Sequence, residues 1–518
     1  MATTSAGRWP RQIPFIIASE ACERFSFYGM RNILTPFLMT ALLLSVPEDL
    51  RQGEAKDVFH SFVIGVYFFP LLGGWIADRF FGKYHTILWL SIVYVIGHAF
   101  LAIFETSKTG FYSGLFLIAL GSGGIKPLVS SFMGDQFDQS NKSLAQKAFD
   151  MFYFTINFGS FFASLSMPLI LKFWGPSIAF GIPGLLMLIA TIFFWYGRKR
   201  YVHIEPQARD PHGFIPVIKS AILTPEPGKA NKGLLLSIVG IVLAVIALSQ
   251  IAVLGLVTAL CLALVLIMGF VGTGASMQLQ RALSSHPAEA VAGVNSVFRI
   301  LILFALVTPF WSLFDQKAST WILQANDMAK PDWFEPAMMQ ALNPLLVMLL
   351  IPFNNFVLYP MLQKAGMQVT ALRRMGAGIA FSGLAWIVIG TIQLMMDGGS
   401  VMSITWQVLP YALLTFGEVL VSATGLEFAY SQAPKSMKGS IMSFWTLSVT
   451  IGNLWVLLAN ASVKHEAVTA KIAETGISVT AFQMFFFAGF ALLAALVFAL
   501  YARSYTMQDH YRAADQQS

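Results

Sequence analysis

"EACERFSFYGMR", residues 20–31, opens the first long apolar stretch of a 518-residue chain and sets two acids and two arginines inside it. Wound on a helix at about 100° per residue, Glu20, Glu23, Arg24, Phe27, Tyr28 and Arg31 fall on one face. An ionised group at a bilayer centre costs ~2.5–3.5 kcal/mol on the insertion scale, so such a stripe turns from lipid toward an interior or toward its own partners. Glu20 and Arg24 are spaced i,i+4 for an ion pair, with Glu23 adjacent. An interhelical salt bridge explains one pair. It does not explain the second carboxylate, which one guanidinium cannot also neutralise in full and which is therefore left to exchange a proton.

The rest of the chain supplies the membrane. It is 56% apolar and 11% charged, with a mean hydropathy of +0.67, too little polar character to cover soluble domains of this length. A span needs ~20 apolar residues. Fourteen stretches qualify, near 13–45, 57–77, 86–104, 111–133, 148–171, 177–197, 233–252, 253–279, 293–325, 338–362, 375–396, 405–431, 439–460 and 480–502. Strand alternation is absent, so the fold class expected is an all-α membrane protein rather than a barrel. The polar stretch 198–232 divides it: six spans precede, two charge-free spans follow, and six complete the chain. The domains expected are 1–200, an N-terminal six-helix bundle; 201–285, a linker with two extra helices; and 286–518, a C-terminal six-helix bundle.

Most lysines and arginines outside the spans fall on one side, among them Arg8, Arg79, Lys83, Lys142, Lys147, Arg198, Lys199, Arg200, Arg209, Lys435, Lys438 and Arg512. The opposite loops hold Arg51, Lys56, Lys108, Lys172, Lys330, Lys464 and Lys471. The positive-inside rule then puts both termini in the cytoplasm, and the net charge of +7 reads as topology and lipid contact rather than nucleic-acid binding. The start, "MATTSAGRWPRQIP", lacks the order of a cleaved leader. Cys22 and Cys261 both lie in apolar spans and read as packing residues.

The charges within or near the ends of spans are Arg24, Arg31, Lys126, Arg299 and Lys317, with Glu20, Glu23, Asp315, Glu418 and Glu427. Arg299 and Lys317 read as interfacial residues that snorkel, and Glu427 divides evenly between that role and an interior one. What remains makes the first half cationic inside and the second half acidic. No GxxxxGK[ST] phosphate loop, metal-ligand spacing or nucleophile–base set accompanies them, so no catalytic or metal residue and no cofactor is expected, and the chain does not read as an enzyme.

Seven ordered motifs give the chain a resemblance to the proton-coupled oligopeptide transporters of the major facilitator superfamily, bacterial type. Residues 20–29 resemble the family's ExxERFxYYG, with Phe27 for the first tyrosine. "GGWIADRFFGKY", residues 73–84, resembles the loop motif carrying Asp78 and Arg79. "GSGGIKP" supplies Lys126, "FYFTINFGS" supplies Asn157, "FWSLFDQ" supplies Trp311 and Asp315 (in place of Glu), "LNPL" supplies Asn343, and "GEVLVSATGLEFAYSQAPK" supplies Glu418.

The resemblance implies a major facilitator fold and symport of di- and tripeptides by alternating access, with protons as the coupling ion. A peptide zwitterion suits halves of opposite charge: Arg31 and Lys126 would hold its carboxylate, and Asn157, Asn343 and Glu418 its amino end. Tyr28, Tyr67, Trp311 and Trp445 would line the pocket. Proton coupling would use Glu20, Glu23 and Arg24. His60 resembles the helix-two histidine of animal members, the alternative being a boundary histidine bonded to a loop. Bridges of Arg31 and Lys126 to Asp315 would gate one side as one bundle rocks on the other. One proton entering down 100 mV gains ~2.3 kcal/mol, enough for roughly fifty-fold accumulation of a neutral solute. The resemblance also implies a bacterial inner-membrane protein surrounded by lipid and working as a monomer, with peptide-like drugs an open alternative substrate. Of the other readings, a drug antiporter has no need of a doubly charged pocket, a nitrate-type symporter has no need of Glu418, and a membrane enzyme or receptor finds no supporting constellation.

Overall fold

A computed structural model describes residues 10–137, 142–206, 210–226, 228–432 and 437–505. Arg8, Arg209, Lys435 and Arg512 lie outside the described residues, as do the side chains of Lys142, Lys147, Lys438 and Glu427. Apart from one isolated bridge between Ala329 and Ser403, the regular structure described is helical, as an apolar chain needs when lipid offers its backbone no partners.

The first half runs α1 (Ile13–Phe37), α2 (Glu48–Ile76), α3 (Gly82–Ile103), α4 (Lys108–Ser122), α5 (Lys126–Gly134) and α6 (Lys142–Tyr196). Between α4 and α5 the chain turns through Gly123 and Gly124, which sets Lys126 at a helix start. In α6, Gly175 at φ 80 divides two helical arms, a conformation that costs a residue with a Cβ. The middle holds the short α7 (Phe214–Leu223), then α8 (Lys232–Ser249), α9 (Ile251–Leu254) and α10 (Leu256–Met277). Asn231 caps α8 by accepting from the Leu234 amide at 3.0 Å, and Gln278 donates to Asn231 at 2.7 Å, which ties the feet of α8 and α10 together. The second half runs α11 (Ala288–Asp315), α12 (Thr320–Asn326), α13 (Leu342–Phe353), α14 (Tyr359–Lys364), α15 (Ala371–Asp397), α16 (Val408–Gln432), α17 (Lys438–Ser462), α18 (Glu466–Ala473) and α19 (Val479–Ser504).

Among the described residues ten helical stretches are long and apolar enough to cross a membrane, where the sequence led us to expect fourteen spans. Two of the ten, Glu48–Ile103 and Ala148–Lys199, each hold two expected spans. The expected spans near 13–45 and 111–133 are not among them. The first carries the charged stripe, and the second is broken at the glycine turn into helices of 15 and 9 residues.

Buried apolar side chains gather into two main cores. One is drawn from Ile13 to Tyr201 with Ala318 added, the other from Val217 to Phe498. Tyr67 packs on both. A small third cluster of Ile64, buried Cys261 and Leu454 seats the extra pair where α2 meets α17, while Cys22 is half-buried against the first core.

Three described ion pairs join the two halves: Arg31–Asp315 at 2.6 Å, Asp57–Lys464 at 2.5 Å and Lys172–Glu335 at 2.7 Å. All three lie toward the end of the molecule where α1 finishes and α2 starts. At the other end Lys83 bonds Asp135 and Ser131, each at 2.6 Å. Asp78 and Arg79, marked by the loop motif, are exposed there and form no ion pair with a described residue, so the cation that fastens this turn is Lys83.

Candidate functional site

The stripe on α1 faces inward. Glu20, Glu23, Arg24, Phe27 and Arg31 are all buried, and Tyr28 is half-buried. The Arg24 Nε donates to Glu23 and lies 3.0 Å from a Glu20 carboxylate oxygen, pairing with both carboxylates. Glu23 keeps its Oε1 buried without a partner, so the shared guanidinium leaves one carboxylate oxygen unsatisfied.

Lys126 departs from expectation. It forms no ion pair with a described residue, Asp315 included. Its ammonium sits over the rings of Phe27 at 3.9 Å and Tyr67 at 4.2 Å. Aromatic faces hold a cation less tightly than a carboxylate does, so Lys126 remains available to an arriving anion.

Arg31 takes Asp315 alone, at 2.6 Å. The other Asp315 oxygen accepts from Asn453 Nδ2 at 2.7 Å, and the Asn453 oxygen faces His60 Nδ1 at 2.7 Å. Since the asparagine amide gives its N–H to Asp315, its oxygen must accept, and His60 Nδ1 carries a hydrogen. His60 Nε2 is then the atom left to face the Ser319 hydroxyl at 2.9 Å. His60 is therefore no boundary residue. It lies well inside α2, fully buried, because α2 begins nearer to residue 48 than the hydropathy suggested. A second histidine, His98, is likewise fully buried, on α3, and meets Ser26 Oγ at 3.1 Å.

Lys317, expected to snorkel at an interface, is buried in the second half. The turn Gln316–Ala318 after α11 rolls it inward, its ammonium over the Phe314 ring at 3.0 Å and donating to Asn343 Oδ1 at 3.2 Å. The amide of Asn343 in turn donates to Glu418 Oε2 at 2.5 Å and to Thr415 at 3.1 Å. Arg299 is half-buried, over the Tyr505 ring at 5.1 Å. Trp311 and Trp445 meet at 6.0 Å, nearly perpendicular, and the Trp311 indole N–H is buried without a partner. Tyr28, Tyr67, Lys126, Asn343 and Glu418 all keep partial exposure. Asn157 is the exception in the expected set. Its Nδ2 donates to the Tyr153 carbonyl of its own helix at 3.0 Å, and no described contact joins it to Asn343 or Glu418.

A model of the POT family matches residues 84–476. The chain belongs to the POT family. The mouse protein "Solute carrier family 15 member 2" is 32% identical over 407 residues, which are 75% of this chain and 50% of that one, so the chain spans about half the length of the curated relatives it matches. Among solved structures, the POT family transporter PepTSo is 79% identical with a TM-score of 0.95, covering 97% of this chain and 100% of that one. An auto-inhibited POT family peptide transporter is 64% identical, also at 0.95, covering 98% and 99%. The POT relatives and neighbours are transporters, not enzymes, in agreement with the sequence.

Proposed function

We propose that this POT family chain is a proton-coupled symporter that imports di- and tripeptides, with peptide-like drugs as further candidates. Membership of a family whose relatives are peptide transporters supports the cargo. The single observation that carries the chemistry is the opposition of charge: Arg31 and Lys126 from the first half face Asp315 and Glu418 from the second, with Arg31–Asp315 joined across the gap. A zwitterion laid between them would give its carboxylate to the fork of Arg31 and to Lys126, and its ammonium to Glu418 and Asn343. Tyr28, Tyr67, Trp311 and Trp445 offer wide, weakly selective walls to the side chains.

In this reading the chain is a fourteen-helix major facilitator protein of the bacterial inner membrane, with both termini cytoplasmic, acting as a monomer and needing no cofactor. Residues 1–200 and 286–518 would be the two six-helix bundles, a division supported by the two apolar cores. Protonation of the Glu20/Glu23 pair would release Arg24, and loss of Arg31–Asp315 would open the end where the three ion pairs lie. The bundles would then rock about a midplane site. The test is uptake of labelled dialanine into proteoliposomes under an imposed inward proton gradient. Accumulation abolished by a protonophore is expected; no uptake, or uptake indifferent to the protonophore, would overturn the reading.

A further inference from the structure

We infer that Lys317 is a tethered stand-in for the peptide's amino group, which fills the amine site between substrates and thereby limits the preference for a free amino terminus. This rests on the proposed peptide reading and adds a residue to it.

Lys317 is 4% exposed, yet no carboxylate lies within ion-pair distance of it among the described residues. Its ammonium reaches the anion through one amide: Lys317 Nζ to Asn343 Oδ1 at 3.2 Å, then Asn343 Nδ2 to Glu418 Oε2 at 2.5 Å. The charges of Lys317 and Glu418 act on each other, and those of Arg31 and Asp315 act on both. An isolated carboxylate in so confined a place is costly, and a nearby ammonium offsets the cost. Arg31 is committed to Asp315, so the cation nearest in role to Glu418 is Lys317.

The arrangement is loose where a permanent ion pair would be tight. The ammonium rests on the Phe314 ring, an electrostatic partner but not an anion. The second oxygen of Glu418 carries no hydrogen bond to a described residue, and Glu418 is half-buried rather than sealed. A substrate ammonium can therefore approach Glu418 from the interior, complete its coordination and relieve Lys317 of its duty. A lysine on a four-carbon stem can release Asn343 while its ammonium stays on the Phe314 ring, which an arginine fork would do less readily. A ligand without an amino-terminal charge leaves Lys317 where it is and forgoes only the gain of direct contact.

The discriminating quantity is the ratio of inhibition by N-acetyl-dialanine to inhibition by dialanine, read against labelled dialanine uptake in proteoliposomes. In Lys317→Gln the blocked peptide would leave Glu418 without any cation, while the free peptide would still supply one. The ratio of inhibitory concentrations is expected to rise tenfold or more over the unaltered protein, and not to rise in Lys317→Arg, which keeps a cation beside Glu418. On a Glu418→Gln background, where the anion is gone, Lys317→Gln is expected to leave ligand discrimination unchanged, measured there as ligand-induced shifts in melting temperature. If Lys317→Gln does not yield folded protein, Lys317→Met, of similar length and apolar, takes its place. An unchanged ratio in a variant that still takes up dialanine under protonophore control would overturn this inference alone. Uptake indifferent to the protonophore in the unaltered protein would overturn the peptide-symport reading instead.

Discussion

Asn453 holds Asp315 with one end of its amide and His60 with the other, and it does so with both ends fully buried. Asn453→Leu strips a donor from Asp315 and an acceptor from His60. Leaving each buried group unsatisfied costs ~1–3 kcal/mol, so a fall in melting temperature in detergent is expected, well beyond that of an exposed asparagine variant. Glu23→Gln, by contrast, keeps the shape of the Arg24 cluster and removes only the carboxylate proposed to exchange a proton. It is expected to abolish proton-driven accumulation and to spare exchange of peptide for peptide; accumulation that survives would sink the coupling role. These two residues mark how far single positions can be read. Glu23 announced itself because an acid inside an apolar run needs a reason. Asn453 did not, because a lone asparagine in "VTIGNLW" is equally at home bonded to any neighbouring helix. Lys126 was found by its motif, but its seat on Phe27 and Tyr67 depends on a distance between helices that no spacing encodes.

At the level of elements, glycine decides how closely helices meet. A Cβ on Gly73 would lie 2.2 Å from the Gly123 carbonyl oxygen, so α2 touches the turn between α4 and α5 through bare backbone. Gly73→Ala is expected to destabilise by roughly 1–3 kcal/mol as the helices are pushed apart, and to displace Lys126, which begins α5. Gly53 on the same helix has open space around it, and Gly53→Ala should raise stability by about 0.5–1 kcal/mol. Paired thermal melts of the two variants check both signs. Hydropathy placed the helices because lipid-facing surfaces and cores are both apolar. It missed their ends and their breaks for the same reason: the start of α2 at Glu48 and the turn after α11 that carries Lys317 inward are set by packing between the halves, not by local composition.

Across the whole molecule the three ion pairs that join the halves are unequal. Arg31 and Asp315 are both buried, and removing one partner from such a pair costs ~3–5 kcal/mol. Asp57–Lys464 and Lys172–Glu335 are partly exposed and each contributes ~0–1 kcal/mol. Asp57→Asn should therefore leave the melting temperature nearly unchanged, whereas Asp315→Asn should lower it and free the end it closes. The chain also carries only two thiols, Cys22 half-buried and Cys261 fully buried. That makes it an almost silent background for spin or fluorophore labels. A cysteine placed on each side of the Asp57–Lys464 seam would report the separation of the halves, molecule by molecule, with little signal from the chain itself.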